Sequence, residues 1–114
     1  KDYAISMWKI LQYKKPDDWV IATNKDQTVK KFIEIVSKKL DISLKWRGKD
    51  INEKGIDKDS GKIIIDLNKK HFRPSEVDFL RGDFSKARKH LKWSPQISTD
   101  DLIDDMIREE LSIY

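Results

Sequence analysis

The chain has 114 residues, of which 39% are charged and 38% are apolar, and 24 basic and 20 acidic side chains give a net charge of +4. A chain of this length forms one domain or part of one, and it buries roughly 65% of the surface that its unfolded state exposes. The lysines occur in scattered pairs, cysteine is absent, and no stretch of 18 apolar residues exists. We therefore expect a cytoplasmic, reducing environment, with no nucleic-acid partner, no thiolate metal site and no membrane span.

The first half of the chain predicts two helices, each followed by a short strand. A helix over residues 3–13 carries Asp2 as its N-cap, and its apolar residues occupy more than one side. They form a main stripe of Tyr3, Ala4, Met7, Trp8 and Leu11, with Ile5 and Ile10 beside it. The sequence DWVIAT at 18–23 predicts a buried strand, residues 28–40 predict an amphipathic helix, and residues 43–48 predict a second strand.

The second half predicts one more strand and two more helices. The glycine-containing, highly charged residues 48–61 are typical of a loop, and the β-branched residues 62–66 predict a strand. Asp83 is a candidate cap for a helix from 84 to 91, and residues 100–114 predict a final amphipathic helix. The order α-β-α-β-β-α-α indicates a compact mixed α/β fold.

The motifs of a self-contained active site are missing from the sequence. The four glycines do not have the spacing of a phosphate-binding loop, and no tyrosine is followed four residues later by lysine. His71 and His90 lack the spacing of metal ligands and are interpreted as surface residues, while the four tryptophans are interpreted as core residues. We therefore assign no catalytic residue and no metal ligand within the chain.

A charged loop at residues 71–83, HFRPSEVDFLRGD, is the strongest candidate for a binding function. Arg73 precedes Pro74, which favours extended backbone at Arg73 and a stiffened loop. A guanidinium donates two parallel hydrogen bonds to a diphosphate, and the Glu76 carboxylate can accept hydrogen bonds from ribose hydroxyls. An ion pair between Arg73 and Glu76 that only braces the loop fits the spacing equally well, so both interpretations remain open.

Five segments resemble the GDP-mannose 4,6-dehydratase family in the same order. The match includes RPSEVDFLRGDFSKARKHLKWSP at 73–95, which resembles the family pattern R-P-x-E-V-D-x-L-x-G-D-x-x-K-A-x-x-x-L-x-W-x-P. The segments KDYAISMW, PDDWVIAT and LIDDMI are similar to three other family segments, and Gly48, Asn52, Glu53 and Gly55 match a G-x-x-x-N-E-x-G loop. The resemblance extends over essentially all 114 residues.

This resemblance implies that residues 1–114 are the small C-terminal nucleotide-sugar-binding domain of an extended short-chain dehydrogenase, with about four helices and short mixed strands. The Rossmann domain, which binds NADP and carries the catalytic residues, would be absent, so the fragment alone would bind no cofactor and be inactive. The parent enzyme would convert GDP-D-mannose to GDP-4-keto-6-deoxy-D-mannose, a step toward GDP-fucose and other deoxysugars. A related NADP-dependent GDP-sugar epimerase or reductase, and a non-catalytic nucleotide-sugar-binding module, are the alternatives.

Residue by residue, the resemblance implies that Arg73 contacts the GDP diphosphate and that Glu76 lies on the ribose side. His71 occupies a position where the family commonly has tyrosine, so its contact with phosphate is the least supported of the three. We also expect self-association, as a dimer or larger, because the helix at 3–13 would have lost its partner on the Rossmann side and would expose an apolar patch.

Overall fold

The computed structural model of the chain describes residues 1–71 and 80–113. Within these described residues, four α-helices and three short antiparallel strands confirm the mixed α/β class. The helices are α1 (Asp2–Leu11), α2 (Val29–Lys39), α3 (Ser85–Leu91) and α4 (Thr99–Ser112), and the strands are β1 (Leu44–Arg47), β2 (Lys54–Asp57) and β3 (Ile63–Asp66). The chain divides into a first unit, residues 1–26 and 78–114, and a second unit, residues 27–77.

The core of the first unit is a cluster of three buried side chains, Ala87, Leu91 and Trp93. Residues from α1, from the segment that follows it and from the start of α3 pack against this cluster: Ile10, Tyr13, Trp19, Ile21 and Phe84. Aromatic rings meet edge to face here, with ring centroids 4.9 Å apart for Tyr13 and Trp19 and 5.7 Å apart for Phe84 and Trp93. Such offset or edge-on geometry is the favoured one for aromatic pairs.

Helix α1 turns its less apolar side to this core. Ser6 is only 2% exposed and its hydroxyl donates to the Tyr3 carbonyl at 2.6 Å, while the predicted main stripe faces outward. The prediction that Trp8 is a core residue is therefore wrong, because the small Ser6 side chain takes the inner position and leaves Trp8 62% exposed. The prediction that this chain cannot cover every apolar side of the helix agrees with this orientation.

Asp2 is the first residue of α1 and is not its N-cap, so that prediction is also wrong. Its carboxylate accepts hydrogen bonds from the backbone N–H groups of Gln96 at 2.8 Å and Ile97 at 2.9 Å. Its backbone carbonyl accepts a third bond, from the Trp93 indole at 3.1 Å. Asp2 thus ties the start of α1 to the segment that leads into α4.

The predicted strand at residues 18–23 is absent from the part of the chain that the structure describes, so this prediction is not supported. A strand exists only where a second strand pairs with its backbone, and none of the described residues provides that pairing for DWVIAT. The apolar content of the segment instead serves packing, because Trp19 and Ile21 lie on the cluster. Hydrophobic sequence alone could not distinguish a paired strand from a packed, unpaired segment.

The second unit contains α2 and the antiparallel sheet β1-β2-β3. Thr28 caps α2 by accepting a hydrogen bond from Lys31 N–H at 3.1 Å, as expected for the predicted helix. The predictions of β1 and β3 are confirmed, but the assignment of residues 48–61 entirely to a loop is wrong. Within it lies β2, which pairs through Gly55 with Trp46 on one side and with Ile65 on the other. Gly55 is buried between these neighbours, and this tight pairing overrides the low strand propensity of glycine.

Both C-terminal helices are confirmed, with well-defined ends. Helix α3 ends at Leu91, and its C-cap Lys92 has a left-handed φ of 51°. The Lys9 ammonium donates to the Lys92 carbonyl at 2.6 Å. A cation at this position satisfies a carbonyl that the helix leaves unbonded. Helix α4 begins with a capping box, in which the Ser98 hydroxyl accepts from Asp101 N–H while the Asp101 carboxylate accepts from Ser98 N–H.

Candidate functional site

The charged loop at 71–83 remains the candidate binding segment, and the structure describes its two ends. Arg73 and Glu76 lie outside the described residues. His71 is described: it is exposed, and it ends a short 3-10 turn over Lys69–His71 in which its N–H donates to the Asn68 carbonyl at 3.0 Å. The prediction that both histidines are surface residues is confirmed, since His90 is exposed as well.

The chain enters the loop from β3 through a hydrogen-bonded connection in the second unit. Asp66, the last residue of β3, accepts a hydrogen bond from Leu67 N–H at 3.0 Å and pairs with the Lys54 ammonium at 3.2 Å. The Asn68 side chain accepts from Lys70 N–H at 3.0 Å. Side chains that bond to nearby backbone in this way fix turns, so the residues just before the loop have a defined course.

The chain leaves the loop through a second fixed connection, in the first unit. Asp83 lies one residue before the N-cap position of α3, which Phe84 occupies without a side-chain capping bond. The Asp83 carboxylate nevertheless accepts from the Ser85 hydroxyl at 2.6 Å and from Ser85 N–H at 2.8 Å. These two bonds lower the pKa of Asp83 below its ordinary value of 3.8, so the carboxylate is charged at neutral pH. The prediction that Asp83 is the N-cap is therefore wrong, because the helix begins one residue later than expected and Asp83 bonds to its first residue from the position before the cap.

Asn24 contributes to this connection and was not recognised from the sequence. Its φ of 56° is left-handed, and its side-chain oxygen accepts from Phe84 N–H at 2.9 Å. Asparagine tolerates this backbone conformation better than most residues do. An asparagine within a polar stretch is a sequence signal for a left-handed turn residue. Its hydrogen-bond partner could not be inferred from the sequence, because Phe84 is 60 residues away.

The arginine beside this connection has only a weak partner among the described residues. Arg81 lies 3.7 Å from the Asp26 carboxylate, and both side chains are largely solvent-exposed. Exposed ion pairs of this length contribute little to stability. The tripeptide Arg81-Gly82-Asp83 thus consists of one loosely paired arginine, one half-buried glycine and one aspartate that bonds to Ser85.

One position of the second unit that matches the G-x-x-x-N-E-x-G loop, Glu53, has a structural partner. The Glu53 carboxylate accepts from the Lys30 ammonium of α2 at 2.6 Å, and that ammonium lies 4.8 Å from the centre of the Trp46 ring. The Trp46 indole donates to the Glu34 carboxylate at 3.2 Å. These contacts attach α2 to the sheet, so Glu53 is explained by packing without any ligand.

An open cleft of about 430 Å³ lies between the end of α2 and β1, and it was not foreseen from the sequence. Ser37, the one buried residue of α2, and Trp46 line it together with several charged residues.

No group of three or more histidine, cysteine or carboxylate side chains suited to a metal ion occurs in the part of the chain that the structure describes. Across the same residues, no helix combines the length and apolarity that crossing a membrane requires.

Comparison with known proteins gives one consistent result. The family model for GDP-mannose 4,6 dehydratase matches residues 1–106. Among curated proteins, the chain is 38% identical over 112 residues to a GDP-mannose 4,6 dehydratase of Drosophila melanogaster, 40% identical over 113 residues to one of Cricetulus griseus, and 38% identical over 113 residues to one of Homo sapiens. These alignments cover 98–99% of this chain but only 28–30% of the three relatives.

Proposed function

Because this chain belongs to the GDP-mannose 4,6-dehydratase family, we propose that it is the GDP-sugar-binding part of an enzyme that converts GDP-D-mannose to GDP-4-keto-6-deoxy-D-mannose. The observation that supports this proposal best is the similarity over nearly the whole chain to relatives that bear the name of that activity. The lyase activity belongs to the longer protein.

Substrate binding is assigned to the loop between β3 and α3. Arg73 donates a pair of hydrogen bonds to the GDP diphosphate, and Glu76 accepts from the ribose hydroxyls. His71, which is exposed at the start of the loop, is a further donor to phosphate. The Asn68 side chain bonds to Lys70 N–H just before His71, and the Asp83 carboxylate bonds to Ser85 N–H after the loop, so each end of the loop has a defined turn within its own unit.

NADP binding and the catalytic residues are assigned to the part of a longer enzyme that this chain does not include. The glycines at 48, 55, 61 and 82 do not form the glycine-rich strand-to-helix turn that holds a dinucleotide phosphate, so the residues present do not fit that cofactor. The chain by itself is therefore inactive, and an N-terminal Rossmann domain is its proposed partner. The absence of cysteine agrees with a reducing, cytoplasmic compartment.

Titration of the 114-residue chain with GDP-mannose, followed by amide NMR, tests the binding assignment. We expect shifts at His71 and in residues 72–79, with weaker or no response to UDP-glucose. The variant Arg73→Ala should lose about ten- to a hundredfold in affinity, because each charge-assisted hydrogen bond contributes about 1.5–3 kcal/mol. Arg108→Ala, which removes an exposed arginine of α4, is the matched control and should bind like the unchanged chain.

A second experiment tests the activity in the longer protein. The purified enzyme should form a 4-keto-6-deoxy sugar from GDP-mannose, identified by mass and by NMR of the product. Turnover of UDP-glucose without turnover of GDP-mannose would contradict the proposed substrate. An epimerised product that still has its 6-hydroxyl group would contradict the proposed reaction while leaving the binding assignment intact.

A further inference from the structure

The open cleft of the second unit is formed by one face of α2 and one face of β1. Glu34, Ser37 and Lys38 have the i, i+3, i+4 spacing that places helical residues on the same face. Leu44 and Trp46 alternate along β1, so they share one face of the strand. The volume of about 430 Å³ lies within the range of about 300–1,000 Å³ that is typical of clefts for small molecules.

Ser37 places a buried hydroxyl without a protein partner at this cleft. The residue is 6% exposed, and its hydroxyl forms no hydrogen bond with any residue that the structure describes. Its backbone carbonyl, by contrast, accepts from Leu40 N–H at 3.2 Å and from Ile42 N–H at 2.9 Å. A buried hydroxyl is costly unless something in the adjacent space bonds to it. Ser37 therefore offers one donor and two acceptors to an occupant of the cleft.

Two carboxylates of the cleft lining have further capacity to accept hydrogen bonds. The Glu34 carboxylate is held by the Trp46 indole, which donates to it at 3.2 Å, and by the Lys31 ammonium at 3.5 Å. Each of its oxygens has a second lone pair, so Glu34 can accept from a ligand as well. Asp41 is exposed just after α2, with a left-handed φ of 55°, and its carboxylate has no bonding partner among the described residues.

The charges of the cleft favour a neutral occupant. The charge of Glu34 is met by Lys31, which lies beside it on α2. Lys38 and Asp41, the other two charged residues of the lining, have opposite signs and balance each other. An anionic group such as a phosphate would therefore meet no net positive charge here, and its desolvation would not be offset.

The apolar part of the lining determines which neutral ligand fits. Ile42, Leu44 and the Trp46 ring are half-buried at the cleft and provide apolar surface next to the hydroxyl and the two carboxylates. A pyranose ring presents C–H groups on its faces and hydroxyl groups around its edge. It therefore needs apolar surface and hydrogen-bond acceptors side by side, which is the combination that this cleft supplies.

We propose that the cleft is a binding site for a neutral pyranose sugar, formed by residues other than those of the charged loop to which GDP binding is assigned. The sugar packs on the Trp46 side of the cleft, and its hydroxyl groups bond to Ser37, Glu34 and Asp41. Since a single sugar ring has few atoms and the cleft is open, the dissociation constant is on the order of 1–10 mM. The proposal does not depend on the enzymatic assignment.

NMR titration of the 114-residue chain with methyl α-D-mannoside and methyl α-D-glucoside tests this site. We expect saturable shifts of the amides of residues 34–46 and of the Trp46 indole N–H with at least one of the two sugars. Inorganic phosphate and GDP should leave these signals unchanged, whereas GDP should shift signals of the loop at 71–83. A cleft that responds to neither sugar up to about 50 mM, or that responds equally to phosphate or GDP, would overturn the proposal. Because the loop and the cleft have separate signals, that result would leave the proposed GDP-sugar binding by the loop intact.

Two substitutions test the residues that hold the sugar. Ser37→Ala removes a hydroxyl without a protein partner, so it should weaken sugar binding about three- to tenfold without lowering the urea midpoint. Asp41→Asn, which keeps a residue type that tolerates the left-handed φ, should weaken binding at least about threefold. Ser112→Ala removes an exposed hydroxyl of α4 and is the control, which should bind like the unchanged chain. If Ser37→Ala and Asp41→Asn both keep the full affinity, the proposal is overturned.

Discussion

Replacing Trp93 by phenylalanine is the most informative test of the core of the first unit. Trp93 is 3% exposed, packs in the cluster with Ala87 and Leu91, and donates its indole N–H to the Asp2 carbonyl at 3.1 Å. Phenylalanine keeps an aromatic ring at this position but removes the donor and part of the ring volume. The substitution therefore tests packing and hydrogen bonding together, while the helix that precedes it keeps its sequence.

Three losses determine the expected size of the effect. A cavity of about 40 Å³ costs about 1 kcal/mol, and the smaller apolar surface of phenylalanine costs about 1 kcal/mol more. The Asp2 carbonyl loses its partner, which adds about 1 kcal/mol. We therefore expect Trp93→Phe to lower the free energy of unfolding by about 3 kcal/mol, which corresponds to a shift of about 1.5 M in the urea midpoint.

Urea denaturation, followed by the amide NMR signals of α3 in dilute protein, measures this change. Trp8→Phe is the matched control, because it makes the same chemical change at a tryptophan that is 62% exposed, and we expect an effect below about 0.5 kcal/mol. If the two variants lose the same amount of stability, Trp93 is not the centre of the core. A loss of only about 1 kcal/mol for Trp93→Phe would mean that the neighbouring side chains close the cavity.

Three further predictions concern single contacts. Gly55→Ala should lower the free energy of unfolding by about 1–3 kcal/mol, because the added methyl group would lie 2.9 Å from the Ile65 side chain. A thermal melt measures this loss, and an unchanged melting temperature would contradict the close contact. Asn24→Ala should cost about 1–2 kcal/mol in urea, since it removes the acceptor for Phe84 N–H and places alanine at a left-handed φ, and Asn24→Gly should recover part of this loss. Hydrogen bonds from the backbone N–H groups of residue 97 and, to a smaller extent, residue 96 lower the pKa of Asp2 below 3.8. The ionised Asp2 carboxylate therefore stabilises the fold above the unfolded pKa, and this stabilisation is lost as the pH falls through the folded pKa. The free energy of unfolding of Asp2→Asn should therefore fall less than that of the unchanged chain between pH 5 and pH 3. If acidification lowers the free energy of unfolding equally in both proteins, this prediction is refuted.

The sequence alone determined the features that depend on local pattern. The apolar spacing of α2 lies within the helix that it defines, so this helix was identified without tertiary information. The caps at Thr28 and Ser98 are equally local, but they were not recognised from the sequence. The family resemblance likewise depends on the order of short motifs, and it supplied Arg73 and Glu76 as candidate ligands. Spacing alone had left those two residues equally consistent with an ion pair.

Tertiary structure decided the features that depend on distant partners. Strand β2 exists because Gly55 fits between Trp46 and Ile65, a contact that its own sequence, KGID, does not indicate. Residues 18–23 have a strand-like sequence but no neighbouring strand among the described residues, so they remain unpaired. Helix α1 is apolar on several sides, and only its packing against α3 selected Ser6 for the inside. In each case the outcome depends on whether residues outside the segment pair or pack with it, and the local preference of the segment does not contain that information.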